Sequence, residues 1–177
     1  ARALADETTR YPRESVLAQL NLLGSHDTPR VARVVRHDAA AVKLAALLQF
    51  TLPGAPCVYY GDEIGLEGAN DPFCREPMPW EGRAAWDHER LRWFQDLIAL
   101  RHAHPALRIG SLEIAYAHHG VIAFRRRSKG DDLWVVVNRR DDAAHAHVRV
   151  EDVADGERRA LVGAAEVVAK GGVLDVH

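Results

Sequence analysis

Two cysteines, Cys57 and Cys74, are all the thiols this sequence carries. That is too few for a disulfide framework or a cysteine-rich zinc site. Free thiols suit a reducing compartment, which inclines the localisation to the cytoplasm without fixing it. No apolar run approaches the ~20 residues needed to span a bilayer, so no membrane partner is expected. The first residues, Ala1-Arg2-Ala3-Leu4-Ala5-Asp6, hold no signal-peptide h-region. They also lack an initiating methionine, so the chain is expected to begin inside a longer protein. No block of Lys and Arg stands clear of acidic neighbours, and the formal net charge is −2, which argues against a nucleic-acid partner. The densest basic run, Arg125, Arg126 and Arg127, precedes Asp131 and Asp132 and reads as the solvated end of a strand. What is present is 47% hydrophobic residues in a chain of 177, enough for a domain or a domain and a fraction with a buried core.

The first half alternates helix and strand. Residues 13–19 read as a helix, and 20–24 as a short buried strand ending in glycine. Asp38 reads as the N-cap of a helix over 39–50, with Leu44, Leu47 and Leu48 on its apolar face and Ala41 and Ala45 beside them. Pro53-Gly54 ends it. Residues 57–60 form a second buried strand closed by Gly61. A loop rich in Gly, Pro, Asn and Asp follows over 62–83, then a helix over 87–102 with Leu91, Phe94 and Ile98 on its apolar face. Strand–helix–strand–helix predicts a parallel sheet covered by helices.

Beyond a boundary at His104-Pro105 the period falls to two. Residues 111–117, 121–127 and 133–138 read as strands joined by His119-Gly120 and Lys129-Gly130-Asp131. Leu133, Val135 and Val137 share one face; Trp134 and Val136 share the other. Residues 144–150 alternate again, and Gly171-Gly172 between Val167-Val168 and Val173-Leu174 signals a hairpin. The expected fold is therefore α/β (1–104) followed by a small antiparallel β-sandwich (105–177). Two parallel strands alone have exposed edges and little core, so upstream sequence is expected to complete them.

Three segments carry candidate chemistry. In the first, a strand ends and presents His26 and Asp27. Carboxylates at the C-terminal ends of parallel barrel strands line active sites, and one there can stabilise positive charge on a sugar ring. On spacing alone, Asp27 as a helix cap is the favoured alternative. Three consecutive residues, Ser25-His26-Asp27, cannot converge as a nucleophilic triad. In the second segment, Asp62 and Glu63 tempt as an acid/base pair, but adjacent side chains diverge; anchoring a turn through loop amides is favoured. In the third, Asp71 and Arg75 can bind sugar hydroxyls and Trp80 can stack on a ring. The equal alternative is an intraloop Asp–Arg pair beside a core tryptophan.

The strings LLGSHDTPR (22–30) and PGAPCVYYGDEIGLEGANDPFCREPMPW (53–80) resemble the α-amylase family, glycoside hydrolase family 13. They are most similar to its neopullulanase, cyclomaltodextrinase and maltogenic amylase group, where Ser25 stands in place of the Asn of many other members. The resemblance covers about 11–107 and continues more loosely beyond. It implies the seventh and eighth βα units of a (β/α)8 TIM barrel followed by a β-sandwich domain. It implies that Asp27 is the carboxylate that favours the distorted transition state and that His26 bonds the same sugar. Asp71 and Arg75 match a pair that holds a glucose farther toward the non-reducing end, and Asp62 and Glu63 match a structural segment. The substrate implied is an α-1,4- or α-1,6-linked glucan such as a cyclodextrin, maltooligosaccharide, pullulan or starch.

The family's nucleophile motif, Gly-x-Arg-x-Asp, and its acid/base Glu have no match here; Arg36-His37-Asp38 and Gly61-Asp62-Glu63 are superficial echoes. A fragment inactive by itself is expected, together with a missing last β-strand beyond His177. The alternatives are a non-catalytic, amylase-like binding or assembly protein and a related transglycosylase. No cofactor or metal is expected in this chain. The resemblance implies calcium and a homodimer only for the full-length parent, where dimerisation leans on an N-terminal domain; no oxygen-rich calcium loop is visible in this chain. His145 and His147 share a strand face without a third zinc ligand, so a solvated face is favoured. His102 and His104 sit at a helix end, where the dipole favours positive charge.

Overall fold

A computed structural model describes residues 10–140, 142, 146–149, 153, 155–163 and 167–176. In chain order the elements are α1 (Arg13–Ala18), β1 (Leu20–Leu22), α2 (Val31–Val34), α3 (Ala39–Thr51), β2 (Ala55–Cys57), α4 (His88–Ala103) and α5 (Pro105–Ile109). Strands β3 (Ser111–His118), β4 (Val121–Ser128), β5 (Asp131–Asn138), β6 (Ala146–Arg149), β7 (Gly156–Arg158), β8 (Val167–Lys170) and β9 (Val173–Val176) follow. Short 3-10 turns at Asp62–Ile64, Phe73–Arg75 and Arg83–Ala85 punctuate the long loop. The chain divides into two compact units, one of them Leu17–Ala103 and the other built from the residues before it and from His104 onward.

In Leu17–Ala103, β1 and β2 pair in parallel, with Leu20 opposite Ala55 and Leu22 opposite Cys57. Asp38 caps α3 by accepting a hydrogen bond from the Ala41 amide at 3.1 Å. The buried stripe of α3 is Val42, Ala46, Gln49, Phe50 and Thr51, one step around from the expected leucines. Gln49 on that face reaches both strands. The Gln49 amide donates to the carbonyls of Asn21 and Cys57, both at 2.9 Å, while Asn21 Nδ2 donates to those of Gln49 and Pro53. A polar clasp thus seats α3 on the strands, and leaving any of these groups unmet would cost more than the clasp contributes. Phe50 meets Phe94 of α4 edge-on at 6.1 Å, and α4 buries Phe94 and Leu97, leaving Ile98 exposed. Arg101 of α4 donates to the Phe50 carbonyl at 2.7 Å and to that of Gly54, satisfying the end of α3.

β1 is not buried as expected: Leu20 and Leu22 are 61% and 54% exposed. Both point away from the Asn21 side that α3 covers, because side chains alternate along a strand. β2 also stops at Cys57, and Tyr59 and Tyr60 turn their rings to Arg30 instead of extending the ladder.

The second unit holds two antiparallel sheets, β3-β4-β5 and β6-β9-β8-β7. Val121 and Ala123 of one pack with Val148, Ala169 and Leu174 of the other, flanked by Trp134 and Val136. The hairpin β8–β9 pairs Lys170 with Val173 across Gly171-Gly172. α5 packs on β4 and β5. Of the arginine run only Arg127 is solvated. Arg125 is buried, bonded to Asp132 at 2.8 Å through Nε and stacked on Trp134. Arg126 is fully buried and donates to the carbonyls of Ser111 and Gly110. Those carbonyls lie just past the end of α5, and they give the buried guanidinium acceptors.

His104 precedes α5 and meets Asp131 Oδ1 at 2.9 Å; Asp131 Oδ2 accepts from the Ala106 amide at 2.9 Å. Burial pushes the Asp131 carboxyl up, but the Ala106 amide and the His104 ring outweigh it and hold it below the ordinary carboxylate range. A lowered folded-state pKa gives stability that is present above the unfolded value and lost as pH falls through the folded one. Asp131→Ala is therefore expected to cost about 1–2 kcal/mol at pH 7. Urea denaturation at pH 7 and in acid checks this: the difference from the parent should shrink as the pH falls.

Candidate functional site

The site is built from two loops of the Leu17–Ala103 unit, one after β1 and one after β2. In the first, the Ser25 hydroxyl accepts from the Asp27 amide at 3.2 Å and the Ser25 amide donates to Thr28 Oγ1 at 3.1 Å. This turn lifts Asp27 to 69% exposure. Asp27 is not a cap: α2 starts at Val31, and its N-cap residue is Arg30, with no side-chain bond.

The Asp27 carboxylate lies 3.2 Å from His26 Nε2 and 3.6 Å from an Arg75 terminal nitrogen. Arg75 Nε lies 2.8 Å from Asp71 Oδ1 and donates to the His26 carbonyl at 3.0 Å. His26, Asp27, Asp71 and Arg75 therefore form one solvent-open cluster. The carboxylate retains lone pairs for hydroxyl donors, and the imidazole and guanidinium offer N–H groups beside it.

The second loop is pinned from beneath. Cys74 is fully buried, and its thiol donates to the His26 carbonyl at 3.2 Å. The Tyr59 hydroxyl donates to the Cys74 carbonyl at 3.3 Å, and that of Tyr60 to the Glu76 carbonyl at 2.8 Å. The Asp71–Pro72 peptide is cis. The Asp71–Arg75 ion pair exists, but Trp80 is not a core residue. It is 60% exposed, with Arg83 lying over both its ring and that of Trp86 at 5.6 and 5.7 Å.

Asp62 faces away from this cluster. It is 3% exposed and accepts from Arg30 Nη1 at 3.1 Å, so its partner is a side chain and not the loop amides expected for it. Burial pushes its carboxyl up to about 6, against the pull of Arg30. Glu63 shares no bond with it in an acid/base arrangement. Sequence reasoning missed Arg30, Tyr59 and Cys74 as parts of the site. Arg30 lay inside the quoted motif, but nothing in its spacing announces burial. His147 pairs with Asp175, and His145 lies outside the described residues. Among the described residues no group of three or more His, Cys, Asp or Glu side chains is placed to hold a metal.

A carboxylate, an imidazole and an Asp–Arg pair are thus presented after two parallel strands, followed in sequence by antiparallel sheets. The catalytic-domain model of alpha-amylase matches residues 2–104, and the chain belongs to the α-amylase family. It is 41% identical over 144 residues to a cyclomaltodextrinase of Bacillus sp., covering 80% of this chain and 25% of that protein. It is 37% identical over 134 residues to neopullulanase 2 of Thermoactinomyces vulgaris, covering 75% and 23%. The crystal structure of a debranching enzyme from Nostoc punctiforme superimposes on 99% of this chain and 36% of its own, with a TM-score of 0.89 and 35% identity. The chain thus spans about a quarter of the length of these curated relatives. Such relatives imply a TIM barrel with a C-terminal β-domain, and the sheets of the second unit are consistent with that β-domain.

Proposed function

We propose that this chain supplies the seventh and eighth βα units of the barrel, and the following β-domain (105–177), to a retaining glycosidase. Its substrates are α-1,4- or α-1,6-linked glucans. The observation that carries the reading is the convergence of His26, Asp27, Asp71 and Arg75 on one open cluster from two loops. Asp27 stabilises the oxocarbenium-like transition state and binds hydroxyls of the sugar being cleaved. His26 donates to the same sugar, while Asp71 and Arg75 hold a glucose farther along the non-reducing side. The exposed face of β1 fits a surface that the rest of the barrel, from the parent protein, would cover.

A retaining reaction needs a nucleophile and an acid/base about 5–5.5 Å apart across the bond. Asp71 is paired with Arg75 and Asp62 is committed to Arg30, so neither is free to serve as the nucleophile or the acid/base beside Asp27. The purified chain is therefore expected to release no reducing sugar from maltooligosaccharides or cyclodextrins. Release above that of an Asp27→Asn control would refute the assignment of the nucleophile and acid/base to other parts of the parent. Retained binding without turnover, read by titration with maltotriose, fits the proposal.

A further inference from the structure

We infer that the buried Arg30–Asp62 pair is a positioning device that fixes the Asp27 loop at both ends. The loop's exit is held by Arg30 itself. Its backbone amide donates to the Gly68 carbonyl at 3.1 Å, and its Nη1 donates to the Tyr60 carbonyl at 2.6 Å as well as to Asp62. At the loop's entry Asp62 packs against Gly24, its Oδ2 so close that a Cβ there would lie 2.9 Å from it. Gly61, with φ +87°, lets the chain turn beneath Arg30; a Cβ there would meet Leu66 at 2.8 Å. The ion pair thus joins Arg30, which follows Asp27, to the 60–62 turn that leads toward Asp71 and Arg75, while Asp62 packs against Gly24, which precedes His26.

Stability does not account for the pair. Nε and Nη2 of Arg30 have no hydrogen-bond partner among the described residues, and the rings of Tyr59 and Tyr60 stand 4.6 and 4.8 Å from its guanidinium carbon instead. A buried cation satisfied in this partial way is matched or bettered in stability by apolar side chains of similar volume. What apolar side chains cannot reproduce is the directional hold of the Arg30 guanidinium on the Tyr60 carbonyl and on Asp62. Glu63 and Arg90 are the other charged groups that act on Asp62, and neither reaches the Asp27 loop.

The deciding variant is the charge-free double substitution Arg30→Met with Asp62→Leu, made in the whole chain. Amide hydrogen exchange is followed at Thr28 and Arg30, whose amides donate within and out of the loop, against α3 as an internal reference. Exchange at Thr28 and Arg30 is expected to quicken by about tenfold or more while α3 stays protected. Exchange unchanged at both positions with α3 intact overturns the inference. If the double variant does not fold, Asp62→Asn decides by the same measure, faster loop exchange supporting the device and unchanged exchange refuting it. The inference rests on the proposed function in treating Asp27 as a catalytic group, but the exchange measurement involves no sugar. A parental chain that fails to bind maltotriose defeats the proposed function; an unaltered loop defeats the positioning device.

Discussion

With this chain grafted in place of the matching quarter of the Bacillus cyclomaltodextrinase, Asp27→Asn is expected to lower kcat by about 10²–10³-fold. KM should change far less. The substitution keeps the side chain's shape and its hydrogen-bonding reach to His26, and removes the charge. Charge matters most when the sugar becomes cationic, so the loss falls on the transition state rather than on the ground-state complex. Arg75→Ala in the same host is expected to behave differently. Arg75 holds Asp71 and reaches Asp27 at 3.6 Å, so its removal raises KM through the lost glucose subsite and lowers kcat modestly through a less ordered Asp27. Steady-state kinetics on maltooligosaccharides of increasing length separates the two. An Asp27→Asn graft that retained most of the parental kcat would remove Asp27 from the catalytic set.

Local signals made much of the fold legible. The cap at Asp38, the hairpin at Gly171-Gly172 and the alternation in β4 and β5 are properties of short windows, and each was visible in the sequence. What a window cannot show is which distant group a side chain will meet. Gln49 faces the sheet and donates to a carbonyl of each strand, a contact that exists only once β2 pairs with β1. Arg126 is buried where it meets carbonyls 15 and 16 residues away. Leu20 and Leu22 read as core from their hydrophobicity, yet this chain provides no layer over their face. The site shows the same division. His26 and Asp27 were visible as a pair at a strand end, and Asp71 with Arg75 as a loop pair. That Arg75 would bond the His26 carbonyl across 49 residues came only with the fold. Arg30 was the deepest omission, since an arginine in a polar loop reads as solvated until its partner, 32 residues on, is placed beside it.

Arg30→Ala is expected to cost the Leu17–Ala103 unit about 3–5 kcal/mol near neutral pH, because it strands a buried carboxylate. The cost should depend on pH with a definite sign. In the parent chain, burial raises the Asp62 carboxyl to about 6, above its unfolded value of 3.8. A raised carboxyl binds its proton more tightly in the folded state, so its contribution is fully present below about pH 4 and lost as pH rises through 6. Removing Arg30 takes away the attraction that opposes this rise, so the carboxyl climbs further. At pH 5 Asp62 then escapes most of the penalty by taking up a proton; at pH 8 that escape closes. The destabilisation by Arg30→Ala is accordingly expected to grow from pH 5 to pH 8. Asp62→Asn, which has no proton to bind, should flatten the dependence of stability on pH between 4 and 6. Urea midpoints at pH 5 and pH 8, read from exchange protection in α3 so that they report this unit alone, test both statements. An Arg30→Ala penalty equal at the two pH values would mean that Asp62 has access to solvent or to another cation, against its 3% exposure.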